Sequence, residues 1–140
     1  MGLVVPDEGE IELLRKMLID LTDTEAYSLR LYQNNYTPSS STTATDFTEA
    51  DFDGYAPITF NRTDWATPTI DIYSEANTTA PQQAWTCGTF TNTIWGYYVL
   101  GNTSGKVLWA EKFAASRILN NNTVLHVTPN FTLKIGRAHV

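Results

Sequence analysis

A chain of 140 residues with 42% apolar and 17% charged residues has the size and composition of one compact domain, so neither a second catalytic domain nor a disordered chain is expected within it. Its net charge of −6 at pH 7 opposes general attraction to nucleic-acid phosphates, which requires clustered Lys and Arg. Threonine (21 residues), asparagine (10 residues) and 12% aromatics suit strands and polar turns, so the expected fold is mainly β.

The charge is uneven. Residues 1–75 carry fourteen of the fifteen acids and four bases, a balance of −10, and residues 76–140 carry +4. Such polarity suits head-to-tail alignment of copies or docking of an acidic face on a basic partner. The opening Met1-Gly2-Leu3-Val4-Val5-Pro6-Asp7-Glu8 has acids where a signal peptide needs bases and then a longer apolar run. No stretch is long and apolar enough for a membrane span, so neither export nor a membrane is expected. Six Asn-x-Ser/Thr sites follow from the Asn- and Thr-rich composition and are not read as glycosylated.

Pro6, then Asp7, Glu8, Glu10 and Glu12, then Arg15 and Lys16, is the charge order a helix dipole prefers. Ile11, Leu14 and Leu18 recur at three- and four-residue steps, with Leu13, Met17 and Leu21 beside them, which predicts an amphipathic helix over about residues 7–20. This helix either packs on the β-body and covers a sheet edge, or serves as an arm that docks on a neighbouring subunit through Ile11, Leu14, Met17 and Leu18.

From Tyr27 the period falls to two. Tyr27, Leu29 and Leu31 share one face of a strand, Ser28, Arg30 and Tyr32 the other. A polar loop follows, and further strands are expected around Thr48–Asp51, Tyr55–Asn61, Thr69–Tyr73, Gln83–Cys87, Ile94–Leu100, Lys106–Phe113 and Val124–Leu133. Gly101-Asn102-Thr103-Ser104-Gly105 joins two of them as a hairpin. Seven or eight short antiparallel strands predict a single β-sandwich or jelly-roll domain over residues 1–134, with one N-terminal amphipathic helix. The closing Ile135-Gly136-Arg137-Ala138-His139-Val140 is what ATC GGA AGA GCA CAC GTC encodes, a string matching a common short-read sequencing adapter. Residues 135–140 are therefore expected to be an assembly artefact with no part in the fold.

Chemical sites are sparse. Asp46-Phe47-Thr48-Glu49-Ala50-Asp51-Phe52-Asp53-Gly54 brings four carboxylates together. A calcium loop would need a ligand at Tyr55 and a bidentate Glu further on, and neither is present. Phe47 and Phe52 are instead expected to seat this segment on the core. Cys87 is a lone cysteine, expected as a small buried side chain. With His126 it lacks the orienting group and glycine-rich turn of a thiolate-imidazole pair. Carboxylate pairs can be drawn from Asp46, Glu49, Asp64, Asp71 and Glu111, as in any acidic β-protein. No enzyme activity, cofactor or metal is expected. Trp65, Trp85, Trp95 and Trp109, with Tyr97 and Tyr98, would serve a glycan-binding module if exposed, but the alternation of Trp95 to Leu100 turns at least one set to the core.

Three stretches carry a resemblance: Pro6 to Leu14, Leu29-Arg30-Leu31-Tyr32-Gln33-Asn34-Asn35-Tyr36-Thr37-Pro38, and Asp46 to Ala56. Together with Gly96-Tyr97-Tyr98-Val99 and Val127-Thr128-Pro129-Asn130-Phe131-Thr132-Leu133, the chain resembles an uncharacterised family of small tailed-bacteriophage virion structural proteins found in environmental virus sequences. The resemblance spans nearly all of residues 6–134 and brings no catalytic residues with it. It implies a capsid decoration or head-associated protein, made in the host bacterial cytoplasm and carried on the virion as a homo-oligomer among other virion proteins. The alternative is a tail or fibre component that binds a host surface glycan, which exposed aromatics at a loop tip would distinguish.

Overall fold

The computed structural model describes residues 3–20, 22–70, 72, 76–89 and 91–133. The suspected artefact at 135–140 lies outside these residues. The chain runs β1 (Leu3–Val4), α1 (Asp7–Leu14), β2 (Tyr27–Tyr32), β3 (Ile58–Phe60), β4 (Thr69–Ile70), β5 (Ala76–Thr79), β6 (Gln83–Thr86), β7 (Asn92–Gly101), β8 (Val107–Leu119), β9 (Val124–Val127) and β10 (Asn130–Leu133). The fold is mainly β with antiparallel sheets and an N-terminal helix, as the alternation predicts.

A five-stranded sheet in the order β1-β8-β7-β2-β3 faces two small sheets, β10-β5-β4 and β6-β9. Between the layers lie Leu29, Leu31, Phe60, Trp85, Ile94, Tyr97, Val99, Leu108, Trp109, Leu125 and Val127, with Cys87 among them. The outer face of the large sheet is covered too. Tyr32, Tyr98, Val107 and Ala110 pack there under Phe47, which stacks on Tyr98 with ring centroids 4.2 Å apart. Residues of both alternating sets in β2 and β7 are therefore buried, Leu29, Leu31, Tyr97 and Val99 in one core and Tyr32 and Tyr98 in the other. Phe47 and Phe52 seat their loop as expected.

The strands depart from the sequence reading in several details; β8 runs past the expected Phe113 to Leu119, and β3 covers only Ile58–Phe60 of Tyr55–Asn61. Thr48–Asp51 forms no strand and gives only a bridge between Glu49 and Tyr32. The expected single strand Val124–Leu133 is two, β9 on β6 and β10 on β5, because Pro129 between them has no N–H to continue a ladder. β1 and β5 were not expected, the first because two residues show no period and the second because Ala-Asn-Thr-Thr shows no alternation in hydropathy. The hairpin from β7 to β8 turns at Gly105, whose φ of +70° suits glycine.

The N-terminal segment closes the β8 edge of the large sheet. Leu3 and Val4 of β1 pair with Glu111 and Ala110. The helix continues along the same edge, where the Glu8 carboxylate accepts the Val107 N–H at 2.9 Å. Gly9 lies so close to β8 that a Cβ there would sit 2.4 Å from the Leu108 carbonyl oxygen.

Candidate functional site

Helices on β-proteins ordinarily turn their apolar stripe inward. Here the stripe faces out. Gly9 and Lys16 are the buried residues of the helical segment, while Ile11, Leu14, Met17 and Leu18 are 65, 54, 61 and 68% exposed. After Leu14 the helix widens into a π-helical turn over Arg15–Ile19, closed by the Asp20 N–H to the Arg15 carbonyl at 2.8 Å, and Ile19 is exposed as well. The four residues singled out from the helical period thus form one solvent-facing surface. Leu21 lies outside the described residues.

The inward face is held by charge. Lys16 Nζ donates to Glu25 Oε1 at 2.6 Å and to Asp23 Oδ2 at 2.8 Å, and the Lys16 and Glu25 side chains are only 5 and 4% exposed. Arg15 donates to Glu12 at 2.7 Å and to Asp23 at 3.1 Å. Glu25 also accepts the Thr103 N–H at 2.7 Å and the Ser104 N–H, so one carboxylate ties the helix to the β7–β8 hairpin. Burial raises the Glu25 pKa, but the bonds from Lys16, Ser104 and Thr103 outweigh it and hold it below the usual glutamate value. The Lys16 ammonium, then the Glu25 N–H, hold the Asp23 carboxyl well below the usual range.

Beside the outward face runs an apolar groove of about 560 Å³, lined by Leu3, Val5, Leu13, Leu14, Met17 and Phe131 with Glu10 at its margin. Helix ridge and groove together make a continuous apolar surface of the kind that marks an interaction site. Sequence periodicity finds the ridge but not the groove, because Phe131 comes from β10 at the far end of the chain.

The other candidate residues are dispersed. Cys87 is buried, with its Sγ 3.6 Å from the Leu119 carbonyl oxygen, whereas His126 lies on the exposed side of β9 opposite Ala84, so the ribbon separates thiol from imidazole. Asp46 and Asp64 accept the backbone N–H groups of Thr43 and Asn61 at 2.9 and 2.7 Å. Glu49 joins Arg30 at 2.9 Å to Tyr55 Oη at 2.6 Å, and Glu111 accepts Tyr97 Oη at 3.1 Å. Asp51 pairs with Asn92 and Asp53 with Thr89. Among the described residues no three His, Cys, Asp or Glu side chains converge on a metal position. Asp71 lies outside them.

A second recess, about 410 Å³, opens where β8 passes Phe113 to Ser116 against Trp95 alone, and it borders Arg117 and the exposed His126. Trp85 and Trp109 are buried and Trp65 and Trp95 half-buried, the last with Lys112 Nζ 5.4 Å from its ring centre. Among the described residues the large exposed apolar side chains are all aliphatic. No helix is long and apolar enough to cross a membrane. No family model matches the chain, and no curated protein matches it.

Proposed function

We propose that this chain is a non-enzymatic structural protein of a tailed-bacteriophage virion, a capsid decoration or head-associated component that docks on neighbouring virion proteins through α1. The observation that carries the docking role is the inverted helix. Ion pairs hold its polar side to the body and leave Ile11, Leu14, Met17 and Leu18 facing water, an arrangement that burial against a neighbour would stabilise. Support for the virion comes from the resemblance carried by Pro6 to Leu14, Leu29 to Pro38 and Asp46 to Ala56. The alternative, a tail or fibre component that binds a host surface glycan, would need exposed aromatics at a loop tip; the described aromatic side chains are buried or half-buried, and Tyr73 and Phe90 lie outside the described residues.

Long-read sequencing of the intact locus tests the reading. The expected result is a run of capsid, portal and tail genes around this one, with natural codons after Lys134 in place of the adapter-like string. A bacterial metabolic neighbourhood would overturn the virion role.

A further inference from the structure

We infer that the surface formed by α1 and its groove receives a protein whose contact face is apolar at the centre and rimmed by Lys or Arg, and not a second copy of this chain. The inference rests on the docking role proposed for α1. Its basis is the charge left over around the apolar surface. Arg15 and Lys16, the cations of the helical segment, are committed to Glu12, Asp23 and Glu25. Asp7 and Glu10 are exposed and have no ion pair among the described residues, and Glu10 borders the groove itself. Glu8 is turned to β8, where it accepts the Val107 N–H and lies 3.8 Å from Lys106, so the leftover charge is that of Asp7 and Glu10. Among the described residues the rim is therefore acidic and uncompensated.

A two-fold contact between copies would bring this surface against itself. Pairing two helices antiparallel about Leu14 sets Ile11 opposite the other copy's Met17 and Glu10 opposite its Leu18, which places a carboxylate without an ion-pair partner among the described residues against an apolar side chain. Like charges facing across an interface oppose association, whereas a basic rim both steers and orients the partner. An anionic lipid surface is disfavoured on the same ground. The spacing of Ile11, Leu14 and Leu18 is that of a helix laid in an apolar groove, and the groove beside it accepts a side chain in return.

The test uses isotope-labelled full chain and two synthetic amphipathic helical peptides that share a leucine face, one flanked by lysines and the other by glutamates. Amide shifts are followed at low and high salt. The expected result is shifts over residues 7–19, with the lysine peptide binding at least fivefold tighter at low salt and the preference shrinking as salt rises. The Asp7→Asn, Glu10→Gln double variant should lose the preference and keep the apolar binding, and Leu14→Asp should lose both while its thermal melt stays unchanged. Equal binding of both peptides at α1 overturns the basic-rimmed partner and leaves the docking face standing. No shift at α1 with either peptide overturns the docking face as well. Concentration-dependent dimerisation with shifts over 7–19, or flotation of the chain with phosphatidylglycerol vesicles, would replace the proposed partner by a second copy or a membrane.

Discussion

Lys16 does most to orient the helix, because its ammonium is buried beside two carboxylates and lies 5.7 Å from the Tyr27 ring centre. Lys16→Met removes the cation and leaves Glu25 buried against Thr103 and Ser104 alone, which should destabilise the fold by roughly 3 kcal/mol, the low end for a broken buried pair. Urea unfolding measures it, and a loss under 1 kcal/mol would mean that the pair is solvated. The same groups set the pH range. Glu25 is depressed, so its contribution is complete above the ordinary glutamate value of about 4.3 and disappears as pH falls through the depressed one. For Lys16 burial lowers the pKa, but the bonds to Asp23 and Glu25 prevail and raise it; its contribution holds below about 10.4 and is lost as pH rises through the raised value. Burial raises Tyr32, Tyr55 and Tyr97 beyond the usual range and pushes Tyr98 up to about 12, and these too oppose unfolding until pH climbs past the free phenol value. The urea midpoint should be flat from about pH 5 to 9 and fall on either side, with a cooperative rise in 295 nm absorbance at the alkaline end. A midpoint that rises between pH 5 and 3 would contradict the Glu25 assignment. None of this was legible in the sequence. Lys16 reads there as a base near a helix C-terminus, since its partners Asp23 and Glu25 belong to the segment after the helix.

At the scale of elements the helix was legible from its period and charge order, and its orientation was not. Periodicity reports that two faces differ, and the apolar face is assigned inward by default; here a glycine and an ion network occupy the inward side. Gly9 tests this directly. In a free helix Gly9→Ala would stabilise by about 1 kcal/mol, but the added Cβ meets the Leu108 and Val107 carbonyl oxygens at 2.4 and 2.7 Å, and backbone cannot give way as a side chain can. The substitution should therefore destabilise overall and loosen α1 from β8, seen as faster hydrogen exchange across residues 7–19. A more stable protein with unchanged exchange would show that the helix does not lie against β8. The strands follow the same division. Long alternating runs such as β2 and β7 were legible, whereas the break at Pro129 was smoothed over because β9 and β10 share one apolar rhythm while pairing with different partners.

For the whole molecule the proposed docking face and the observed edge contact lie on the same N-terminal segment, and that decides how its function can be tested. Its outer side leaves Ile11, Leu14, Met17 and Leu18 exposed, the surface proposed to meet a partner, and its inner side closes the edge of the large sheet. Deleting residues 1–20 removes β1 from Glu111 and Ala110, the Glu8 carboxylate from the Val107 N–H and Lys16 from Glu25. It leaves Val107-Leu108-Trp109-Ala110 as an uncapped apolar edge, the feature that templates strand pairing between chains. The truncated chain should therefore scatter light and sediment as aggregates at concentrations where the full chain is dispersed. The Leu14→Asp, Leu18→Asp chain, changed only on the outer side, should remain as dispersed as the parent. If the truncated chain is a well-behaved monomer with unchanged exchange in β8, the edge-covering role is wrong and residues 1–20 are a pure docking arm. If it aggregates as expected, loss of particle binding on deletion cannot be ascribed to docking, and substitutions on the outer face alone separate the two roles.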